Sequence, residues 1–141
     1  MSSDLAKITT FITQHHVMSL ATSDKEELSV CSLFYVYNQV KNSFVVASSD
    51  ETTHIQHIQN NSAVAGNILL ETHSVGKIQG LQFRGEFVAL EDKSLQKEYF
   101  KAFPYALALN PKLWQIKVNY FKLTDNRLGF GKKIIWQEPS A

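Results

Sequence analysis

Apolar and polar positions recur along this chain with two different periods. Leu5, Ile8, Phe11 and Ile12 fall three to four apart, which predicts an amphipathic first helix with Ser2 or Ser3 as its cap. Beyond Val17 the period shortens to that of strands. The stretch "VMSLAT" (17–22) predicts a strand closed by the polar turn "SDKEE". "LSVCSLFYVY" (28–37) is branched, aromatic and apolar at both parities, the pattern of a strand covered on both sides. A turn over 38–42 returns the chain as "SFVVAS", and a short helix is expected over 52–60. "SAVAGNILLE" is the next strand, and "THSVGK" turns it into "IQGLQFRGEFVAL". There Leu81, Phe83, Phe87 and Ala89 share one face with Gly85, while Gln82, Arg84 and Glu86 take the other.

A helix over 91–103 carries Leu95, Tyr99, Ala102 and Phe103 along one side. "PYALALNP" is a proline-bounded connection with room for a short helix. "LWQIKVNYFKLTD" predicts a long strand with Trp114, Ile116, Val118 and Tyr120 inward. After the tight turn "NRLGFGKK", "IIWQ" is the last strand. Strands outnumber helices and the connections are too short for a wound parallel sheet. The expected class is therefore mainly β: one antiparallel barrel domain over 1–141 with a few covering helices.

Composition narrows the partners. The chain has 141 residues and a formal net charge of +1, without a basic stripe, so neither nucleic acid nor an anionic membrane is an expected partner. One cysteine, Cys31, excludes an internal disulfide framework and multi-cysteine zinc patterns. It lies in an apolar strand, where a thiol serves as packing. The start lacks the basic and continuously apolar segments of a signal peptide, and no run is long enough to span a bilayer. A cytoplasmic protein is expected.

The densest chemistry lies in "SSDETTHIQHI" (48–58). A strand end carrying Ser48 and Ser49, followed by Thr52 and Thr53 at a helix start, sets hydroxyls beside free backbone N–H groups. With the positive end of the helix dipole this composes an anion seat, to which a protonated His54 would add a charged donor. The same residues are ordinary N-caps that need no ligand. His54 and His57 stand three apart on a helix, but a zinc site needs a third ligand that the sequence does not supply, so surface or capping roles are expected. Gln82 and Arg84 suit either a solvated outer face or contact with a ligand or second subunit. Trp136 suits a packing anchor or a flat surface for a ring. There is no GxSxG, GxGxxG or GxxxxGK[ST] motif, which sets aside those nucleophile and nucleotide-binding frameworks.

Taken in order, "MSLAT", "SLFYVY", "SSDETTHIQHIQNNSAVAG", "GLQFRGE" and "DNRLGFGKKIIW" resemble the flavin-binding split-barrel family related to pyridoxamine 5′-phosphate oxidase, in a small uncharacterised bacterial branch. The resemblance runs from the first helix to Trp136. It implies a split β-barrel homodimer binding FMN at the subunit interface, with the flavin performing any oxidoreductase chemistry on a small molecule. It places Ser32, Leu33 and Phe34 beside the isoalloxazine ring. Ala47, Ser48, Thr52, Thr53 and His54 would hold the phosphate. Gln82 and Arg84 would reach the flavin across the interface, and Trp136 would approach the ring from the partner chain. Many members of that family have an Arg-Lys pair where this sequence has Thr53 and His54. A hydroxyl and a weakly basic imidazole thus replace two permanent cations, which implies pH-dependent binding, tighter where His54 is protonated. The alternatives are a flavin or haem binding protein without turnover, or an apo interaction module whose groove has lost FMN affinity.

Overall fold

The computed structural model describes residues 3–139. Ser2, one of the two expected caps, lies outside them. Helix α1 covers Ser3–Thr13 and buries Ile8, Phe11 and Ile12, the stripe its sequence period predicts. Strands β1 (Val17–Asp24) and β2 (Glu27–Phe34) form a hairpin whose turn places Lys25 at φ 56°. Strands β3 (Val36–Asn38) and β4 (Ser43–Ala47) form a second hairpin, followed by α2 (Thr53–Asn60) and β5 (Ala63–Leu69). A 3-10 turn at Val75–Lys77 leads to β6 (Gln79–Ala89), then α3 (Lys93–Ala102) and α4 (Pro104–Leu109). The long β7 (Leu113–Asp125), a 3-10 turn at Asn126–Leu128 and β8 (Lys133–Gln137) complete the chain.

The strands form one antiparallel sheet in the order β2-β1-β5-β6-β7-β4-β3, with β8 also on β7. Strand β7 is long enough to hold β4 along residues 113–117 and β8 along residues 120–124. The sheet curls as half of a barrel around an aromatic interior. Phe44 and Phe83 lie with ring centroids 4.9 Å apart, and Phe121 and Phe87 are fully buried with them. A smaller cluster of Val45, Leu90, Leu95, Tyr99 and Leu113 seats α3 against β4 and β7. Among the described residues, no helix is long and apolar enough to cross a membrane.

Three sequence expectations change. First, Arg84 pairs with Tyr120 but Gly85 pairs with Val118, so Asn119 is an extra residue in β7. This bulge reverses the parity of the strand: Phe121 points inward, and Tyr120 is only half-buried. Gly85 is needed there, since a Cβ would stand 2.4 Å from the Lys117 carbonyl oxygen. Second, the stretch 28–37 is two strands, broken at Tyr35. The Tyr35 N–H donates to the His16 carbonyl (3.0 Å) and its hydroxyl to the Ile12 carbonyl (2.6 Å), tying the break to the end of α1. Third, β2 is not covered on both sides. Leu28, Val30 and Phe34 on its outer face are 82%, 72% and 58% exposed. Local sequence shows that a face is apolar, but not whether this chain supplies its cover.

Candidate functional site

The stretch 48–58 folds as a strand end, a turn and a helix. The Ser48 N–H donates to the Lys112 carbonyl (3.1 Å), and the Trp114 indole N–H donates to the Ser48 carbonyl (3.0 Å), so β7 fixes where the turn leaves the sheet. Thr52 is the N-cap of α2, its side chain accepting from the Ile55 N–H at 3.4 Å. The N–H groups of Thr53 and His54 open the helix, where no preceding turn supplies an acceptor. Ser48 Oγ lies 2.7 Å from His54 Nε2, and Thr52 Oγ1 lies 3.5 Å from the same nitrogen. The structure therefore brings Ser48, Thr52 and His54 together, with Thr53 exposed beside them and Ala47 half-buried at the end of β4.

His54 is not a surface histidine. It is 8% exposed, and burial, followed by repulsion from His57, lowers its pKa below the ordinary histidine value. One ring nitrogen, Nε2, is occupied by Ser48. Asp50, which an inward orientation would set against an anion, instead pairs with Lys112 Nζ at 3.0 Å. Lys112 also lies 4.6 Å from the centroid of the Trp114 ring. Lys112 is thus a permanent cation beside the seat. It is distant in sequence from the 48–58 stretch and only strand pairing reveals it.

The remaining candidates divide between the faces of the sheet. Ser32, Ser19, Asn67 and Gln82 form one cross-strand row on the outer face, through the β2–β1, β1–β5 and β5–β6 pairings. Arg84 lies in the next row, its guanidinium carbon 4.2 Å from the centroid of the Tyr120 ring. Phe34 is outward and meets Phe103 edge-on at 5.6 Å. Leu33 points the other way and packs against the core. Trp136 also joins the core side, half-buried with its ring 5.9 Å from Phe121. Three strand spacings separate Ser32 from Gln82, about 14 Å, so one protomer does not bring both to the same small ring. Among the described residues no group of three metal-ligating side chains assembles.

Known proteins set this geometry in context. The chain is 36% identical over 130 residues to the UPF0306 protein of Photorhabdus laumondii, covering 90% of this chain and 91% of that one. It is 38% identical over 135 residues to the UPF0306 protein of an Enterobacter strain, covering 94% and 95%. The chain belongs to the UPF0306 family. No family model matches it. Solved structures similar to the UPF0306 chain share its split-barrel fold at low identity. A haem-binding protein from Mycobacterium smegmatis has a TM-score of 0.78 at 15% identity, covering 97% of this chain and 59% of that one. An FAD-binding protein from Mesorhizobium loti has 0.69 at 16%, covering 86% and 92%. A protein from Listeria innocua described as a putative pyridoxamine 5′-phosphate oxidase has 0.68 at 15%, covering 84% and 96%.

The second histidine of α2 in the UPF0306 chain, His57, is also buried, which its spacing from His54 did not indicate. His57 Nε2 lies 2.6 Å from Glu27 Oε1, and Nδ1 lies 2.8 Å from Thr22 Oγ1. Both ring nitrogens are thus occupied, one by a carboxylate and one by a hydroxyl. One turn later Asn60 donates to Asp24 (2.9 Å) and Asn61 to Ser23 (3.0 Å). His54 thus fastens α2 to the end of β4, while His57 and the two asparagines fasten it to the β1–β2 hairpin. The two histidines expected in surface or capping roles are buried instead, as helix anchors that fix where the N-terminus of α2 points.

Proposed function

We propose that this chain is a cytoplasmic FMN-binding protein that works as a homodimer, with the flavin carrying oxidoreductase chemistry on a small molecule. The observation that carries the reading is the convergence of Ser48, Thr52 and His54 at the open N-terminus of α2. Hydroxyls, the first backbone N–H groups and the helix dipole suit a phosphate. Lys112 supplies the permanent charge missing at Thr53 and His54, exchanging Asp50 for the phosphate oxygens. The ring would lie at the outer face of β2, near Ser32 and Phe34. Because Gln82 and Arg84 stand on a distant strand, they would serve the ring bound mainly by the other protomer. The uncovered Leu28, Val30 and Phe34 supply apolar area for that partner. Bound flavin supplies hydride transfer, and the protein's part is to orient the ring and hold the phosphate.

Titration with FMN and with riboflavin, followed by flavin fluorescence, tests the phosphate seat. FMN binds more tightly than riboflavin, and Lys112→Ala removes most of that preference. Protonation of His54 is needed for it to act as a charged donor. Because burial lowers its pKa, the preference for FMN rises as pH falls through and below the ordinary histidine range, with uptake of a proton on binding. The same burial makes the protonated ring a cost to the fold: the unfolded chain binds this proton first, so the His54 contribution to stability is complete above about pH 6.5 and lost below it. In His54→Gln the pH trend attributed to the ring disappears. A protein that changes the fluorescence of neither flavin at pH 6 and pH 8 removes the reading.

The rival reading of a haem binder is favoured by one feature. His15 and His16 stand at a cavity of about 440 Å³ walled by Phe34, Tyr35, Val36 and Phe103. Haemin titration separates the two: a Soret shift abolished by His16→Ala supports haem, and its absence supports flavin alone. An interaction module without a cofactor would respond to neither titration.

A further inference from the structure

We propose that the cleft between α1 and the Asp125–Leu128 turn is a second ligand site, taking a small monocarboxylate with an apolar body. The cleft encloses about 340 Å³ and contains none of the residues assigned to the flavin. This volume lies at the small end of ordinary ligand pockets, which run roughly 300–1,000 Å³. Its lining is mixed: Ala6, Phe11, Leu123 and Leu128 are apolar, while Lys7, Gln14, Gln79, Asp125 and Arg127, with the hydroxyl of Thr10, are polar.

The polar lining is organised around Arg127. Asp125, 5% exposed, holds the guanidinium with both oxygens: Oδ1 accepts from Nε at 3.1 Å and Oδ2 from Nη2 at 2.9 Å. Gln79 Oε1 accepts a further bond from Nη2 at 3.0 Å. Among the described residues this leaves Nη1 alone without a partner, a charged donor held in place by three bonds and able to donate to one oxygen of a carboxylate. The backbone N–H of Arg127 also donates to Asp125 (3.0 Å), so the carboxylate serves the turn as well as the guanidinium. Its pKa is held below the usual carboxylate value, chiefly by the hydrogen bond from the Arg127 side chain, with Lys7 adding to the effect. Lys7 is therefore close enough to be felt at the head of the cleft, and among the described residues no carboxylate pairs with it. Two cations face one carboxylate whose oxygens are already occupied. The surplus is one positive charge beside apolar side chains. A cationic ligand would meet Arg127 and Lys7 without a free acceptor, so the charge selects an anion. The apolar side chains select against bare inorganic ions.

The proposal stands independently of the flavin reading and has its own test. The full-length protein is titrated with phenylacetate, phenylacetamide and phenethylamine, which share one apolar body and differ in head-group charge. Isovalerate serves as an aliphatic probe, and backbone amide shifts are the readout. The expected result is a shift for at least one carboxylate confined to the amides around Lys7, Gln14, Gln79 and Arg127, with a Kd of about 1 mM or tighter. Phenylacetamide then binds about tenfold more weakly and phenethylamine not at all. Arg127→Ala risks disordering the turn it holds, so the exposed Lys7→Gln carries the test, lowering carboxylate affinity about three- to tenfold with the fold intact. The proposal is overturned if neither carboxylate moves these amides, if phenylacetamide binds as well as phenylacetate, or if Lys7→Gln leaves affinity unchanged. Displacement of the carboxylate by FMN would also overturn the separation of the two sites.

Discussion

The two faces of this sheet are built from the same strands and end in opposite states. On the inner face Phe44, Phe83, Phe87 and Phe121 are almost completely buried, with α1 closing over them. On the outer face Leu28, Val30, Phe34, Leu69 and Ile135 remain largely exposed, interleaved with Ser32, Gln82 and Arg84. Period-two alternation assigns side chains to faces without saying which face the chain itself will close. The inner face is finished by intramolecular packing. The outer face is apolar in patches and polar in rows, as suits a surface that meets something else.

The sharpest way to break this contrast is to strike the inner face. Phe83→Ala removes a ring packed against Phe44 and is expected to cost about 3–5 kcal/mol of stability, seen as a lowered denaturant midpoint. A cost near that of a surface change would show that the interior is loose. Val30→Glu, on the outer face, is expected to leave the protomer's circular dichroism unchanged while shifting sedimentation from dimer to monomer. FMN affinity should fall with it, if, as proposed, each flavin draws on both chains. If Val30→Glu remains as associated as the wild type, the outer face of β2 is not the subunit contact. The smallest expected effect is at Arg84. Loss of its stacking on Tyr120 in Arg84→Ala costs about 0.5–1 kcal/mol at most in the isolated protomer. A much larger loss of FMN affinity than of stability would assign Arg84 to the ligand.

The two histidines of α2 show why part of the site could be read in advance and part could not. The hydroxyls of Ser48, Thr52 and Thr53 announce a helix start because capping is a local affair, settled within a few residues. The burial of His54 and His57 is not local. It depends on β1, β2 and β4 arriving against one helix face, and the partners Thr22 and Glu27 precede His57 by 35 and 30 positions. Lys112 lies 62 residues beyond Asp50 and reaches the seat only through the pairing of β4 with β7. The bulge at Asn119 is equally silent in the pattern, since one inserted residue exchanges the parity of everything after it.

Most of the architecture could be read from the residues alone. Short alternating strands, tight polar connections and singly interposed helices left an antiparallel barrel as the natural way to bury the aromatic parity. The order of pieces pointed to the split-barrel family. These are properties of neighbours along the chain, where backbone geometry and burial impose a fixed period. Folding in three dimensions settled what period cannot carry. It buried two histidines, turned Leu33 and Trp136 toward the core, set Lys112 beside the turn that opens α2, and left the outer face of β2 open. Each of these depends on contacts between distant segments, and their energetics are decided by which groups finally lose water together.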